Sequence, residues 1–490
     1  MTTEAIPLAS DSVAAPAAGV LPLHTKVLYG IGEISNSIKS YAFGLLLLFF
    51  YTSVLGLPGT LVGAATAITL IWDSVIDPLI GHWSDRAHIR FGRRHSFMVV
   101  GAVSMGVFFF LIFSPPAGLA AGALFAWLMV TNILLRTSNS VYMVPYHALG
   151  AELSNDYNER TSITGIRAAL SLFGTLMVAG LVFVVFFPNV TPGVDPKFNQ
   201  AGYGSMGIAL GIAITVLGLI AVAGTLSQRS RLVEPASDDD EKLGFFAGLL
   251  LALKDKSFLV LVISSSIFFL ASVINATLAV HYLTYYAQIT DSRALSLFTL
   301  SFYVGALVGA FVWIRVSKRV EKQRLFIVNT LILAFIMSAA YWLVGPGHLL
   351  GTGNVIPLII GNTLGGFFAA ALWVVPASMV ADVTDEDRLR TGKKRAGTFF
   401  GINSFFVQEA TAVAVLVTGV LIDNFAGLVP GQVAQSAQTS ERLAMLFALL
   451  PAVLYVAAAL LMFRYSLTRA RVAEIHQQLQ TAHSGGETLV

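Results

Sequence analysis

Runs of about twenty apolar residues recur along the whole chain, separated by short polar loops; that is the length an α-helix needs to cross a hydrocarbon core of roughly 30 Å. The pattern predicts spans near 27–54, 59–83, 96–114, 119–150, 163–187, 206–227, 258–286, 295–316, 325–344, 355–380, 397–422 and 442–463. Ten-residue segments of alternating polarity do not occur, which argues against a transmembrane barrel, and open sheets leave backbone groups unsatisfied in lipid. One long polar insert, residues 228–257, carries the acidic run Asp238-Asp239-Asp240-Glu241 with basic residues on both sides. It divides the chain into a six-span half at 27–227 and another at 258–463. The fold class is therefore an all-α polytopic membrane protein, and two halves joined by a polar linker predict a parallel internal repeat with the binding site near the midplane between them.

Composition agrees, with 56 % hydrophobic and only 12 % charged residues, against about 25 % charged in a soluble domain. The net charge of +3 comes from basic residues scattered over short loops rather than gathered on one domain, so a nucleic-acid partner is not expected. Topology explains them better. With both termini cytoplasmic, nearly all Lys and Arg fall on inner loops and tails, and only Lys197, Arg293 and Arg442 lie outside. The chain has no cysteine, which rules out disulfides and cysteine-held metal. Residues 1–26 lack the charged-then-apolar order of a secretory signal and read as a cytoplasmic tail. In the other tail, 464–490, the stretch 464–480 mixes charged and apolar residues at helical spacing, as either an inner-surface helix or a solvated one.

Chemistry concentrates inside the spans. Asp73 and Asp77 stand four apart in Trp72-Asp73-Ser74-Val75-Ile76-Asp77-Pro78, so both carboxylates project from one helix face. Each charge near the bilayer centre costs about 2.5–3.5 kcal/mol on insertion scales, and the two repel each other. Binding Na⁺ or sharing a proton relieves both costs and makes the pair a coupling-ion site; a structural ion pair with Lys39 or Arg136 is the alternative. Pro78 weakens the helix there, freeing carbonyls as ion ligands or only kinking it. The following loop, with Gly81, Asp85, Arg86, Arg90, Arg93 and Arg94, places one acid among four arginines, enough to latch neighbouring helices; positive-inside bias explains the arginines but not the Gly and Asp.

These stretches resemble the glycoside-pentoside-hexuronide:cation symporter family of the major facilitator superfamily, which includes melibiose-permease-like transporters. Two signatures carry the resemblance: Trp72-Asp73-(x3)-Asp77-Pro78 running into the arginine loop, and Asp382-Val383-Thr384-Asp385-Glu386-Asp387 followed by Thr391-Gly392-Lys393-Lys394-Arg395 and Gly397-Thr398-Phe399-Phe400-Gly401. The resemblance covers essentially all spans. It implies twelve helices in two six-helix halves, alternating access, a cation (Na⁺ or H⁺) held by Asp73 and Asp77 with help from the Ser140 hydroxyl, and Asp382 and Asp385 as latch residues of the second half. For the substrate it implies Arg167 and Trp373, with His147 in place of a second aromatic, and Ser404 and Gln408 on the eleventh span. The sugar site departs from the melibiose-type pattern, because Ser37 and Met143 stand where aspartates hold sugar hydroxyls and Gln408 where many members carry lysine. Lys39, about mid-span, then replaces that lysine as counter-ion, contacts an acidic substrate group, or is a snorkelling or paired lysine. Arg136, Glu33 and Glu409 are further intramembrane charges whose partners the sequence leaves unassigned.

The expectation is thus a monomeric, multi-pass protein of the bacterial plasma membrane that moves a sugar or glycoside, with no cofactor beyond the coupling ion. Vertebrate relatives of this branch move lysophospholipids with Na⁺, and a site stripped of sugar-binding aspartates keeps that alternative open. An enzyme is not expected: no His-x-x-x-His pair, Gly-x-Ser-x-Gly elbow or phosphate loop is present.

Overall fold

The computed structural model describes residues 21–87, 92–154, 156–190, 194–228, 248–249, 252–393 and 395–484. Among them are 12 helices long and apolar enough to cross a membrane. We number these α1 (Leu23–Phe49), α2 (Gly59–Arg86), α3 (Arg93–Phe113), α4 (Ala121–Glu152), α5 (Tyr157–Phe186) and α6 (Gln200–Leu226) in the first half. The second half has α7 (Lys256–His281), α8 (Ser292–Val316), α9 (Lys322–Leu343), α10 (Ile356–Thr391), α11 (Ala396–Leu421) and α12 (Ala437–Met462). Within the first half α1 packs on α5 and α6, and α3 on α4 and α6; within the second, α8 packs on α10, and α9 and α7 on α12.

The repeat expected from the linker position appears in local detail. α1 and α7, the first helices of the two halves, both end in a five-residue π segment, Phe50–Val54 and Tyr282–Tyr286. Both segments close with the same wide hydrogen bonds, Leu55 N to Phe50 O and Leu57 N to Tyr51 O in one, Ala287 N to Tyr282 O and Ile289 N to Leu283 O in the other. α4 and α10, the fourth helix of each half, both carry an internal proline, Pro145 and Pro376.

Helices run past their apolar stretches where polar ends find partners. Asp156 caps α5 through Glu159 N at 2.8 Å, so that helix starts well before the expected residue 163. α10, expected to stop near 380, continues to Thr391 because Asp382 meets Lys322 at 2.5 Å and Asp385 meets His476 at 2.9 Å; it ends on Gly392, whose φ of 71° suits glycine. The C-terminal stretch forms α13 (Arg469–Ser484). One face docks on the second half, where Ile475 and Leu479 are buried in its core and His476 meets Asp385 of α10, while most of its other residues are exposed.

Between the halves, close packing falls at the end of the bundle away from residues 21 and 484. α2 meets α11 there through small residues: a Cβ on Gly63 would come 2.9 Å from the Val415 carbonyl oxygen, and one on Gly419 2.2 Å from that of Gly59. The Asp423 carboxylate accepts from Gly59 N at 2.8 Å and Thr60 N at 2.7 Å, capping α2 from the other half. α5 meets α8 through Thr299, whose hydroxyl donates to Ala179 O at 2.7 Å, and through Asn189, which bonds Thr290 O and Ser292 N. Toward the terminus-bearing end α2 and α11 diverge: Ser74 still reaches Glu409 at 3.3 Å, but Gly397 and Gly401 have nothing within 4 Å of where a Cβ would sit.

Candidate functional site

The splayed halves enclose a cavity of about 510 Å³ lined by α1, α2, α4 and α5 from one half and α7, α8 and α11 from the other. Helical spacing accounts for what reaches it. On α2 the lining stripe Val62, Thr66, Leu70 continues at steps of three and four to Asp73 and Asp77. On α5 Ser171 and Thr175 extend the stripe of Arg167, and on α11 Thr411 and Val415 extend that of Ser404 and Gln408. Tyr41 of α1 and Tyr303 of α8 meet edge to face across the halves, with ring centroids 5.4 Å apart.

Asp73 is buried, and its Oδ2 accepts from Arg136 Nη1 at 2.7 Å. The ion-pair alternative is therefore present for this carboxylate. Its other oxygen, Oδ1, is buried with no hydrogen-bond donor on it. Ser140, one turn beyond Arg136 on α4, is bonded to the Arg136 carbonyl at 3.2 Å and also faces Asp77. Lys39 donates to Asn139 Oδ1 at 2.8 Å and lies in the field of Arg136, Asp73, Asp77 and Glu33. The unpartnered Oδ1, the Asp77 carboxylate and the hydroxyl form an oxygen set of the kind a proton or Na⁺ takes.

A second polar group lies on the terminus-bearing side of the cavity. Glu33 accepts from Asn36 at 3.2 Å and stands 3.6 Å from His147 and 3.7 Å from Arg167. α1 and α4 are locked beside it by stacked rings, since Tyr29 donates to Tyr146 O and Tyr146 to Tyr29 O, each at 3.0 Å. The structure thus brings Arg167 and His147 together through Glu33, a residue the sequence left without a partner. Ser37 lines the cavity and bonds Ser171 at 2.9 Å. Met143 is not brought to it; 6 % exposed, it packs in the core of the first half. Trp373 is 44 % exposed on α10, edge-on to Phe302.

At the terminus-bearing end the loop residues bind within one half. Arg94 meets Asp85 at 2.5 Å and Glu152 at 2.8 Å, and Arg93 meets Glu152 at 3.2 Å, so α2, α3 and α4 are tied together. Gly81 leaves its carbonyl to the Ser84 hydroxyl, Arg86 is the last residue of α2, and Arg90 lies outside the described residues. Lys322, Glu152, Asn139 and Ser171 were missed by sequence reasoning; each is an ordinary polar residue whose partner is remote in the chain.

A twelve-helix bundle of two similar halves around a central cavity defines a transporter of the major facilitator superfamily. The chain belongs to the MFS/sugar transport protein family, whose profile matches residues 28–469. It is 26 % identical to the putative glycoside/cation symporter YagG of Escherichia coli over 94 % of this chain and 95 % of that one. It is 22 % identical to sodium-dependent lysophosphatidylcholine symporter 1 of Xenopus tropicalis over 94 % of this chain and 90 % of that one. Among solved structures, a D-xylose-proton symporter superposes with a TM-score of 0.63 at 15 % identity, covering 91 % of this chain and 98 % of that one, a likeness of fold. The protein is a multi-pass membrane protein and a secondary transporter, with symporters among its relatives.

Proposed function

We propose that the protein is a symporter that moves a sugar or glycoside with Na⁺ or H⁺ by rocking the halves 27–227 and 258–463 about the central cavity. The observation that carries this reading is the buried, unpartnered Asp73 Oδ1 beside Asp77 at the edge of a cavity shared by both halves and shut at one end. Asp73, Asp77 and Ser140 hold the cation. Ser37, Lys39, Arg167, His147 and Gln408, with Trp373 and Ser404 nearer the opening, meet the substrate. With both termini cytoplasmic, as the basic loops favour, the cavity opens inward in this structure, and the ties at Asp85, Arg94 and Asp382, each within one half, stiffen the opened end.

Reconstituted vesicles loaded with imposed Na⁺ or pH gradients and offered labelled sugars test the reading. Concentrative uptake that collapses with one gradient is expected; sugar fluxes indifferent to both gradients overturn it. A lysophospholipid substrate is the second reading, favoured by the largely apolar cavity wall of Leu45, Leu48, Val62, Leu135, Val273 and Val415. Lysophosphatidylcholine in the same assay separates the two.

A further inference from the structure

The charged side chains that line the central cavity are Lys39 and Arg136, both basic. Around them stand uncharged polar side chains from both halves, among them Asn36, Ser37, Ser171 and Thr175 of the first and Thr277 and Thr411 of the second, and most of the remaining wall is aliphatic or aromatic. Neither cation is saturated where it stands. An ammonium has three N–H donors and a guanidinium five, while Lys39 gives one to Asn139 and Arg136 gives one to Asp73. The Arg136 guanidinium also lies over the Phe43 ring, 5.6 Å from its centroid, which fixes its plane at the cavity surface.

Taking the symporter reading as its basis, we propose that the cavity binds an amphiphilic substrate with one anionic group, a carboxylate or a phosphate, held jointly by Lys39 and Arg136, and that this contact couples substrate to cation. In the structure Arg136 neutralises Asp73. A substrate anion offers Arg136 a bidentate partner in the same low-dielectric space. As Arg136 turns to it, the Asp73 carboxylate loses its counter-charge beside Asp77, and the pair binds the coupling cation more tightly. By linkage the cation raises substrate affinity by the same factor. A neutral glycoside has nothing to draw Arg136 from Asp73 and gains little from the cation.

Purified protein titrated calorimetrically with phenyl β-D-glucuronide and phenyl β-D-glucoside tests this, since the two share an aglycone and differ in a carboxylate. Titrations run with and without Na⁺ and at two pH values, with lysophosphatidylcholine as the phosphate-bearing third probe. The glucuronide or the lysolipid is expected to bind at least about tenfold more tightly than the glucoside, the worth of a charge-assisted hydrogen bond. Lys39→Gln should erase that margin, weakening the anionic probe by about tenfold more than it weakens the glucoside. Arg136→Gln should bind the cation more tightly in the absence of substrate and abolish the mutual enhancement. If Arg136→Gln does not fold, the Lys39→Gln series decides alone. Equal binding of glucuronide and glucoside, unaffected by Lys39→Gln and without preference for the lysolipid, overturns the inference and leaves the symporter reading standing. Failure of all three probes to bind removes the inference together with the glycoside and lysolipid readings beneath it.

Discussion

Replacing Asp423 should open the end of the transporter that is shut in this structure. Its carboxylate accepts two backbone N–H groups at the start of α2, Gly59 at 2.8 Å and Thr60 at 2.7 Å, from a helix of the other half. An acid at a helix N-terminus contributes typically about 1–2 kcal/mol, as cap and through the macrodipole. Water replaces part of that in Asp423→Ala, because Asp423 and Thr60 are only partly buried. A net loss of about 1.5 kcal/mol falls on the closed arrangement, since the contact crosses the halves, and shifts the closed-to-open ratio by about tenfold. The chain has no cysteine, so cysteines introduced at Val190 and Leu349, both strongly exposed near the closed end of opposite halves, carry spin labels without background. Pulsed dipolar spectroscopy should show a longer-distance population growing in Asp423→Ala, with Asp423→Asn intermediate because its amide oxygen still accepts one bond. Identical distance distributions in the parent and in Asp423→Ala would refute the assignment of this cap as a gate contact.

Asp77→Asn is expected to abolish gradient-driven uptake with expression retained, and Asp73→Asn to reduce it less, because Arg136 already offsets the Asp73 charge; undiminished concentrative uptake in both mutants removes the cation site from α2. Trp373→Ala and Arg167→Ala should weaken substrate binding by about tenfold or more while changing cation affinity little, which paired titrations would reveal. Glu152→Gln removes one of the two carboxylates that face the buried Arg94, with Asp85 still paired, and should cost about 1–3 kcal/mol, read as a fall in melting temperature in detergent. Burial holds Lys197 below the ordinary lysine pKa of 10.5, against the pull of Asp195. The folded state therefore binds fewer protons than the unfolded one between that lowered value and 10.5, and stability rises with pH across this window; Lys197→Met should flatten that rise in melting temperature against pH.

The number and order of helices were legible because the membrane imposes one rule on every span, and about twenty apolar residues satisfy it regardless of neighbours. Helix ends were not, because they depend on partners that sequence distance hides. α10 runs on to Thr391 only because Lys322 and His476 stand ready for Asp382 and Asp385. The candidate site divides the same way. Asp73 and Asp77 announced themselves as carboxylates at helical spacing in an apolar segment, whereas the Arg136 that neutralises one of them stands 63 residues away and matched either acid equally well on paper. Met143 was assigned by position in a resembling family; it shares a face of α4 with Arg136, seven residues earlier, but it is 6 % exposed among buried apolar side chains, while Arg136 lines the cavity.

The distribution of charge between the halves constrains how the transporter can move. Glu33, Asp73 and Asp77, with Lys39, Arg136 and Arg167, all stand on helices of the first half, while the second half brings Thr277, Tyr303, Thr411 and Val415 to the cavity and Glu409 to Ser74. Rocking the halves therefore need not pull apart the Asp73–Arg136 pair or the Glu33 cluster, which would cost several kcal/mol per buried charge left bare. What the motion must break are the uncharged contacts of the closed end, the capping bonds of Asp423 and the bond from the Lys197 ammonium to Ile289 O, each worth about 1–3 kcal/mol. On the proposed reading, a substrate touching both halves binds the two arrangements differently. Only such a difference in affinity can shift their populations. On the proposed reading the ion is held within one half and the substrate across both, which assigns the charge to the ion and the conformational bias to the substrate; the Arg136 side chain, bonded to Asp73 and lining the cavity, is where the two would meet.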